Sequence, residues 1–354
     1  MAKQKMIDSH IHLWPPETSN ESGHAWMTPG NPLAKPHLLE HYLKASRQNE
    51  DPSSDVEVEG VIYVETDVRN DHSRWGDGVE MWAKAPLDEI SFLRTIVDGD
   101  YGERASDMLL GIVPWAPMDK DPSVLREYLR LAEERAGPKC WSRVKGFRFL
   151  LQFISDARVF QNTVSGPDFQ INLKELGRRG FAFDVGVDQR SGGVHQLESM
   201  AIAMDEAHRY VPENEKVTFI INHLCKPAFG ERQLIFEEWR IMVSMMSKLS
   251  KTYMKFSGAF SEIPKSFGKD ADGIAKAIKP WFMHLKLCFG TQRIMFGSDW
   301  PVCNVHGPRG EDSWVAWKDV VAALAADEQC GLSSEDVERL WHGVAREAYG
   351  ISKP

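Results

Sequence analysis

The sequence predicts an α/β fold, a (β/α)₈ TIM barrel with an extended loop after the first strand. Three observations carry that expectation. Apolar, β-branched runs recur eight times, helical patterns alternate with them, and no break in composition divides the chain. Several runs are almost continuously hydrophobic, as strands buried on both faces should be. A length of 354 residues suits one such barrel with insertions, so a single hydrolase-sized domain over 1–354 is expected.

In order, the expected strands are 6–12, 60–65, 109–115, 144–150, 181–187, 217–223, 253–257 and 293–298, each bounded by polar or turn-forming residues. Amphipathic patterns at 87–97, 123–136, 173–179, 196–210, 231–250 and 272–286 fill the intervals. Two more follow the last strand, at 313–326 and 334–349. The final one opens on Ser333, Ser334, Glu335 and Asp336, which suit the free N–H groups of a first turn, and stops before Gly350. Residues 15–36 are rich in Pro, Gly, Ser and Asn and hold His24 and Trp26. Following the first strand, they are expected at the barrel mouth as a lid or wall. Residues 50–58 are acidic and polar and read as a surface loop.

Hydrophobic residues at 42% and charged residues at 26% describe an ordinary globular chain. A net charge of −9 without any basic cluster argues against a nucleic-acid partner. The five cysteines are odd in number and show no C-x-x-C spacing, which suits a reducing compartment and gives no zinc ribbon. Neither a secretory h-region nor a membrane-spanning run is visible, so a cytoplasmic protein that does not enter a membrane is expected.

In such a barrel the reactive side chains gather at the C-terminal ends of the strands. The first strand delivers His10 and His12, which alternation sends to one side. They make two metal ligands, or a matched acid and base. The sixth strand adds His223, with Lys226 just beyond, and the eighth adds Asp299. His10, His12, His223 and Asp299 have the chemical types of a mononuclear zinc site with a position left for water, and Asp299 can also take that water's proton. Arg148 ends the fourth strand, where it must bind an anion or pair with Glu65 or Asp184. Lys255 and Ser257 share one face of the seventh strand and either hold substrate oxygens or, for the lysine, face the helix layer. Asp184 suits the orienting of a histidine. Trp14, Trp115 and Trp300 each follow a strand and offer flat faces to a sugar-like ring. A nucleophile elbow, a P-loop and a dinucleotide fingerprint are all absent, so hydrolysis here would use activated water.

The stretches Ile7-Asp8-Ser9-His10-Ile11-His12-Leu13-Trp14, Val144-Lys145-Gly146-Phe147-Arg148, Asn222-His223-Leu224-Cys225-Lys226-Pro227 and Phe296-Gly297-Ser298-Asp299-Trp300-Pro301 resemble the amidohydrolase superfamily. They are similar to its branch of lactonases acting on sugar and dicarboxylate lactones, as is the closing run Leu340-Trp341-His342-Gly343-Val344-Ala345-Arg346-Glu347-Ala348-Tyr349-Gly350. Residues 30–34, 112–117 and 219–227 are similar to the group of fungal L-rhamnono-1,4-lactonases. The resemblance implies hydrolysis of an aldonolactone such as L-rhamnono-1,4-lactone to L-rhamnonate, in L-rhamnose catabolism. It implies His10, His12, His223 and Asp299 as catalytic and metal-site residues and Arg148 as a substrate contact. It implies one divalent ion, zinc, which members of the branch differ in requiring. Arg148 and Asp184 stand where binuclear members carry a bridging Lys or Glu and a His, which argues against a second ion. Glu65, Lys255, Trp115, Trp300 and Asp184 complete the expected substrate-binding set. The partner is then a small sugar lactone, with homo-oligomer formation left open. Two rival readings are a metal-dependent decarboxylase of an aromatic or unsaturated acid, and a non-catalytic carbohydrate-binding barrel.

Overall fold

The computed structural model describes residues 3–47, 56–231 and 233–352. Eight parallel strands are found among them: β1 (Gln4–Ile11), β2 (Val56–Val64), β3 (Leu109–Val113), β4 (Gly146–Arg148), β5 (Ala182–Val185), β6 (Thr218–Ile221), β7 (Thr252–Phe256) and β8 (Ile294–Phe296). Hydrogen-bonded neighbours run β1-β2-β3 and β4-β5-β6-β7-β8. Two seams join these arcs into a ring. Ile112 bridges Val144 and Trp115 bridges Arg148 between β3 and β4, while Ile11 bridges Trp300 between β1 and the end of β8. Each predicted strand is present, with ends displaced by a few residues.

The helices α1 (Leu39–Ala45), α2 (Lys84–Asp98), α3 (Pro122–Trp141), α4 (Ala157–Ser165), α5 (Pro167–Arg178), α6 (Val194–His208), α7 (Gln233–Met246), α8 (Ala271–Phe289) and α9 (Ser313–Ala326) surround the strands. Helix α3 is broken at Gly137, whose φ of 65° is non-helical and which precedes Pro138, so its regular part ends where the sequence pattern does. Helices α1 and α4 are not visible in the hydrophobic pattern. α1 is only seven residues long, and α4 buries only Phe160 and Val164. The predicted 334–349 helix forms in three pieces, with a π-helical turn at Arg339–Gly343 between Ser334–Glu338 and Val344–Ala348. Its start is a capping box in which Ser333 Oγ accepts from the Asp336 N–H and Asp336 accepts from the Ser333 N–H.

Strand alternation divides the core. Outward residues such as Val61, Tyr63, Phe219, Ile221 and Phe256 join the layer packed against the helices. Inward residues Ile7, Ile62, Val64, Val113, Ala182, Ile220 and Met295 fill the barrel, with Val344, Ala345, Ala348 and Tyr349 of the closing segment packed among them. The same parity sends three charged residues inward. Asp184 lies two residues from Ala182 and Lys255 two from Tyr253, while Arg148 adjoins the outward-facing Phe147.

The loop after β1 forms a wall, as expected. Trp14 Nε1 donates to the Lys35 carbonyl, Trp26 Nε1 donates to the Thr66 carbonyl, and His24 Nε2 meets Thr66 Oγ1 at 2.8 Å. The surface-loop expectation for 50–58 is corrected at its end, since Val56 already begins β2; residues 50–55 lie outside the described residues. No helix among the described residues is long and apolar enough to cross a membrane.

The β1–β8 seam is held by one buried carboxylate. Asp8 accepts from Ser298 N (2.8 Å), Tyr42 Oη (2.9 Å) and Trp314 Nε1 (3.0 Å), so strand ends, α1 and α9 converge on it. Removing it leaves those three donors and the His10 N–H, 3.3 Å from Oδ1, unsatisfied. Asp8→Ala should therefore destabilise the fold by about 3 kcal/mol or more, read as a lower urea midpoint at unchanged slope; an unaltered midpoint would show the seam to be held otherwise.

Candidate active site

A cavity of about 670 Å³ opens at the C-terminal ends of the strands. Its wall includes His12, Trp14, Asp67, Arg148, Asp188, His223, Lys226, Glu262 and Asp299, with residues 28–33 forming the side contributed by the long loop. His10, His12, His223 and Asp299 converge at its base. Asp299 Oδ1 lies 3.6 Å from His10 Nε2, 3.4 Å from His12 Nε2 and 3.7 Å from His223 Nε2. One carboxylate oxygen thus faces three imidazole nitrogens, all buried.

Two of these side chains arrive on strained backbone. Asp299 has φ 62°, and His223, Leu224, Cys225 and Lys226 have φ of 54°, 56°, 61° and 45°. A left-handed conformation costs about 1–2 kcal/mol per non-glycine residue, so the tetrapeptide must be held in place by its surroundings. Its effect is geometric: residues three apart in a tight turn share a face, and His223 and Lys226 both line the cavity. Local bonds hold it. Trp239 Nε1 of α7 donates to the Leu224 carbonyl at 2.7 Å, and His223 Nδ1 meets Ser257 Oγ at 2.9 Å. Gly258, at φ 63°, leaves room for the imidazole, since a Cβ there would overlap His223 Nδ1.

Beneath His10 lies a fully buried ion pair. Lys255 Nζ donates to Asp184 Oδ2 at 2.7 Å, and Tyr349 Oη donates to the same carboxylate at 2.9 Å. Lys255 Nζ also lies 3.2 Å from His10 Nδ1. An ammonium has hydrogens and no lone pair, so Nδ1 accepts and His10 carries its proton on Nε2. At the other end, His12 Nδ1 is 2.8 Å from the Val64 carbonyl, which only accepts, so His12 keeps its lone pair on Nε2. The 3.2 Å contact between the two Nε2 atoms is then a hydrogen bond from His10 to His12. Donor direction therefore runs unbroken from Lys255 through both histidines to Val64.

The electrostatics follow from burial. Desolvation holds His223 down to about 3, and desolvation with the neighbouring Lys255 charge keeps His10 well below the usual imidazole range. Both imidazoles are neutral near pH 7. Burial alone would raise the Asp299 carboxyl, but its interactions with His223, His12 and Lys226 hold it below its ordinary value. Desolvation opposes the charge of Arg148, yet Glu65 outweighs it and pushes the guanidinium pKa up.

The remaining sequence candidates are placed differently. Arg148 reaches the cavity, gripped by Glu65 through Nε (2.6 Å to Oε1) and Nη2 (2.6 Å to the carbonyl), so Glu65 positions it from behind. Lys255 and Asp184 are absent from the cavity wall because they sit within their strands, below the tips. Trp115 turns outward against Trp82 and Tyr128, and Trp300 packs on His37 and Tyr42 behind Asp299. Trp14 alone of the three expected platforms lines the cavity. Asp67, Asp188, Arg190 and Glu262, which sequence reasoning passed over, do line it. Each falls two or more residues beyond a strand end, where strand alternation no longer tells which way a side chain points.

A family model for amidohydrolases matches residues 7–351. The chain belongs to the amidohydrolase family. This amidohydrolase is 29% identical to the L-rhamnono-gamma-lactonase of the yeast Scheffersomyces stipitis over 99% of its own length and 100% of the relative's. It is 24% identical to the L-fucono-1,5-lactonase of Burkholderia multivorans, over 79% and 82% of the two chains. Among solved structures, an amidohydrolase from Burkholderia multivorans with bound zinc superposes with a TM-score of 0.68 at 23% identity, covering 98% and 99% of the chains. That likeness supports the barrel. A 2,6-dihydroxybenzoate decarboxylase from Rhizobium shares the fold at a TM-score of 0.54 and 13% identity, over 99% of each chain.

The side chains present fit a divalent ion. His10, His223 and Asp299 offer ligand atoms within 4.8 Å of one another, a buried nitrogen–nitrogen–oxygen set of the type zinc accepts. To serve as a ligand through Nε2, neutral His10 would have to carry its proton on Nδ1, so Lys255 could no longer donate to that nitrogen. The buried pair beneath also bears on stability. Lys255→Met leaves the Asp184 charge uncompensated and should destabilise the protein by about 3–5 kcal/mol, whereas Lys255→Met combined with Asp184→Leu should recover most of the loss in chemical denaturation. Equal losses in both variants would contradict the pairing.

Proposed function

We propose that the protein is a lactonase that opens a sugar-derived aldonolactone, with L-rhamnono-1,4-lactone and its product L-rhamnonate as the favoured pair, acting in L-rhamnose catabolism as one catalytic barrel. The observation that carries this reading is Asp299 Oδ1 set among three imidazoles at the base of a cavity whose wall mixes charged and polar side chains with apolar ones. A neutral, hydroxyl-rich ring finds partners there. The full-length likeness to an L-rhamnono-gamma-lactonase supports the same substrate class. A decarboxylase of an aromatic acid would release CO₂ where a lactonase releases acid, so the product separates the two readings.

In this mechanism ionised Asp299 takes a proton from water as the water oxygen bonds to the lactone carbonyl carbon. Arg148 and Lys226 are two of the cations on the wall that can meet the oxyanion as it develops, and His12 and His223 confine the water beside the carboxylate. The acyl carbon–ring oxygen bond then breaks, and the proton on Asp299 passes to the ring oxygen, which becomes a hydroxyl. The new carboxylic acid ionises and releases one proton. A divalent ion held by His10, His223 and Asp299, when bound, supplies Lewis acidity and lowers the pKa of bound water.

Addition of L-rhamnono-1,4-lactone to the purified protein in weak buffer should release acid at an enzymatic rate, read with an indicator dye. L-fucono- and D-galactono-lactones serve as comparison substrates, and chelator and zinc arms report whether an ion is needed. Asp299→Asn should lower kcat by about 10²–10⁴-fold in a folded protein; full activity would remove Asp299 from the mechanism. Because the Asp299 pKa lies below the ordinary carboxylate value, it is ionised throughout the neutral and mildly acidic range. Hence kcat/KM should show no loss attributable to Asp299 between pH 7 and pH 5. An acid limb in that interval that shifts on the substitution Asp299→Glu would contradict it.

A further inference from the structure

Among the described residues, Asp67 is the one cavity carboxylate that no side chain or backbone donor engages. It lies just past β2 with φ 56°, in the same left-handed region as His223, Lys226 and Asp299. Strain of this kind on a non-glycine residue persists where the surroundings enforce it, and it concentrates at functional sites. The surroundings here are explicit. The Asp67 N–H donates to Glu65 Oε2 at 2.6 Å, and Glu65 is itself locked to Arg148. One residue earlier, Thr66 donates to Glu89 through both its N–H (3.1 Å) and its hydroxyl (2.6 Å). The Trp26 indole donates to the Thr66 carbonyl, and Arg69 N donates to the Gly23 carbonyl at 2.8 Å. The segment is thus pinned on both sides of Asp67, while its carboxylate oxygens stay open to the cavity. The backbone is held firmly here while the exposed side chain keeps its acceptors free for a donor from outside.

Building on the lactonase reading, we propose that Asp67 determines specificity by accepting a hydrogen bond from one hydroxyl of a polyhydroxylated lactone. A carboxylate oxygen is the strongest acceptor a protein offers to a neutral donor, and it distinguishes a hydroxyl from the hydrogen that replaces it in a deoxy sugar. Arg148, on the same wall, is kept from neutralising Asp67 because Glu65 holds it.

The test compares wild type with Asp67→Asn and Asp67→Gly, since Asn and Gly both tolerate a positive φ. Each protein is assayed on L-rhamnono-1,4-lactone and on its 2-, 3- and 5-deoxy derivatives. In wild type, removal of the hydroxyl that Asp67 reads should lower kcat/KM by about 10- to 100-fold. In Asp67→Gly that penalty should vanish, and in Asp67→Asn, whose amide oxygen still accepts but carries no charge, it should shrink. A uniform fall across all four lactones, or an unchanged pattern, overturns the assignment while leaving the lactonase reading intact. A wild-type protein that hydrolyses none of them overturns both.

Discussion

The site rests on the ion pair between Lys255 and Asp184, buried inside the barrel where neither charge meets water. Such a pair is hard to desolvate, and its value to a protein lies in what it arranges. Here it arranges direction. The lysine has hydrogens to give, the Val64 carbonyl can only receive, and the two histidines between them have no choice of tautomer. Charge at one depth of the barrel thereby becomes hydrogen-bond polarity one layer higher, where Asp299 and the cavity lie.

A second constraint is conformational. Asp67, Asp299 and the turn from His223 to Lys226 all occupy the left-handed region, and all stand at the mouth. Each is held by contacts with other elements: Glu65 for Asp67, Ser257 and Trp239 for the His223 turn, and Asp8 with its four donors for the seam beside Asp299. The barrel supplies rigidity, and the strand tips use it to aim side chains.

Much of this is legible in the chain because periodicity and strand-end logic are strong. Eight apolar runs become eight strands, and His10, His12, His223 and Asp299 meet at one point because each stands at or just beyond a tip. Legibility falls off with distance from regular structure. Lys255 and Asp184 have the residue types of a binding site, yet their register puts them one layer too deep to touch the cavity. Trp115 and Trp300 follow strands as Trp14 does, but their rings turn away among other aromatics. Asp67, Asp188, Arg190 and Glu262 belong to loops whose course is set by long-range contacts such as Arg69 with Gly23, which no local pattern encodes.

The hydroxyl of Tyr349 completes the shell of Asp184, and it comes from the closing segment, after all eight strands. During synthesis the barrel's interior acid and base are translated long before this last donor. A nascent chain carrying every reactive side chain would still lack one donor to Asp184. Docking of the closing segment and completion of the hydrogen-bond shell around the buried acid are therefore a single event.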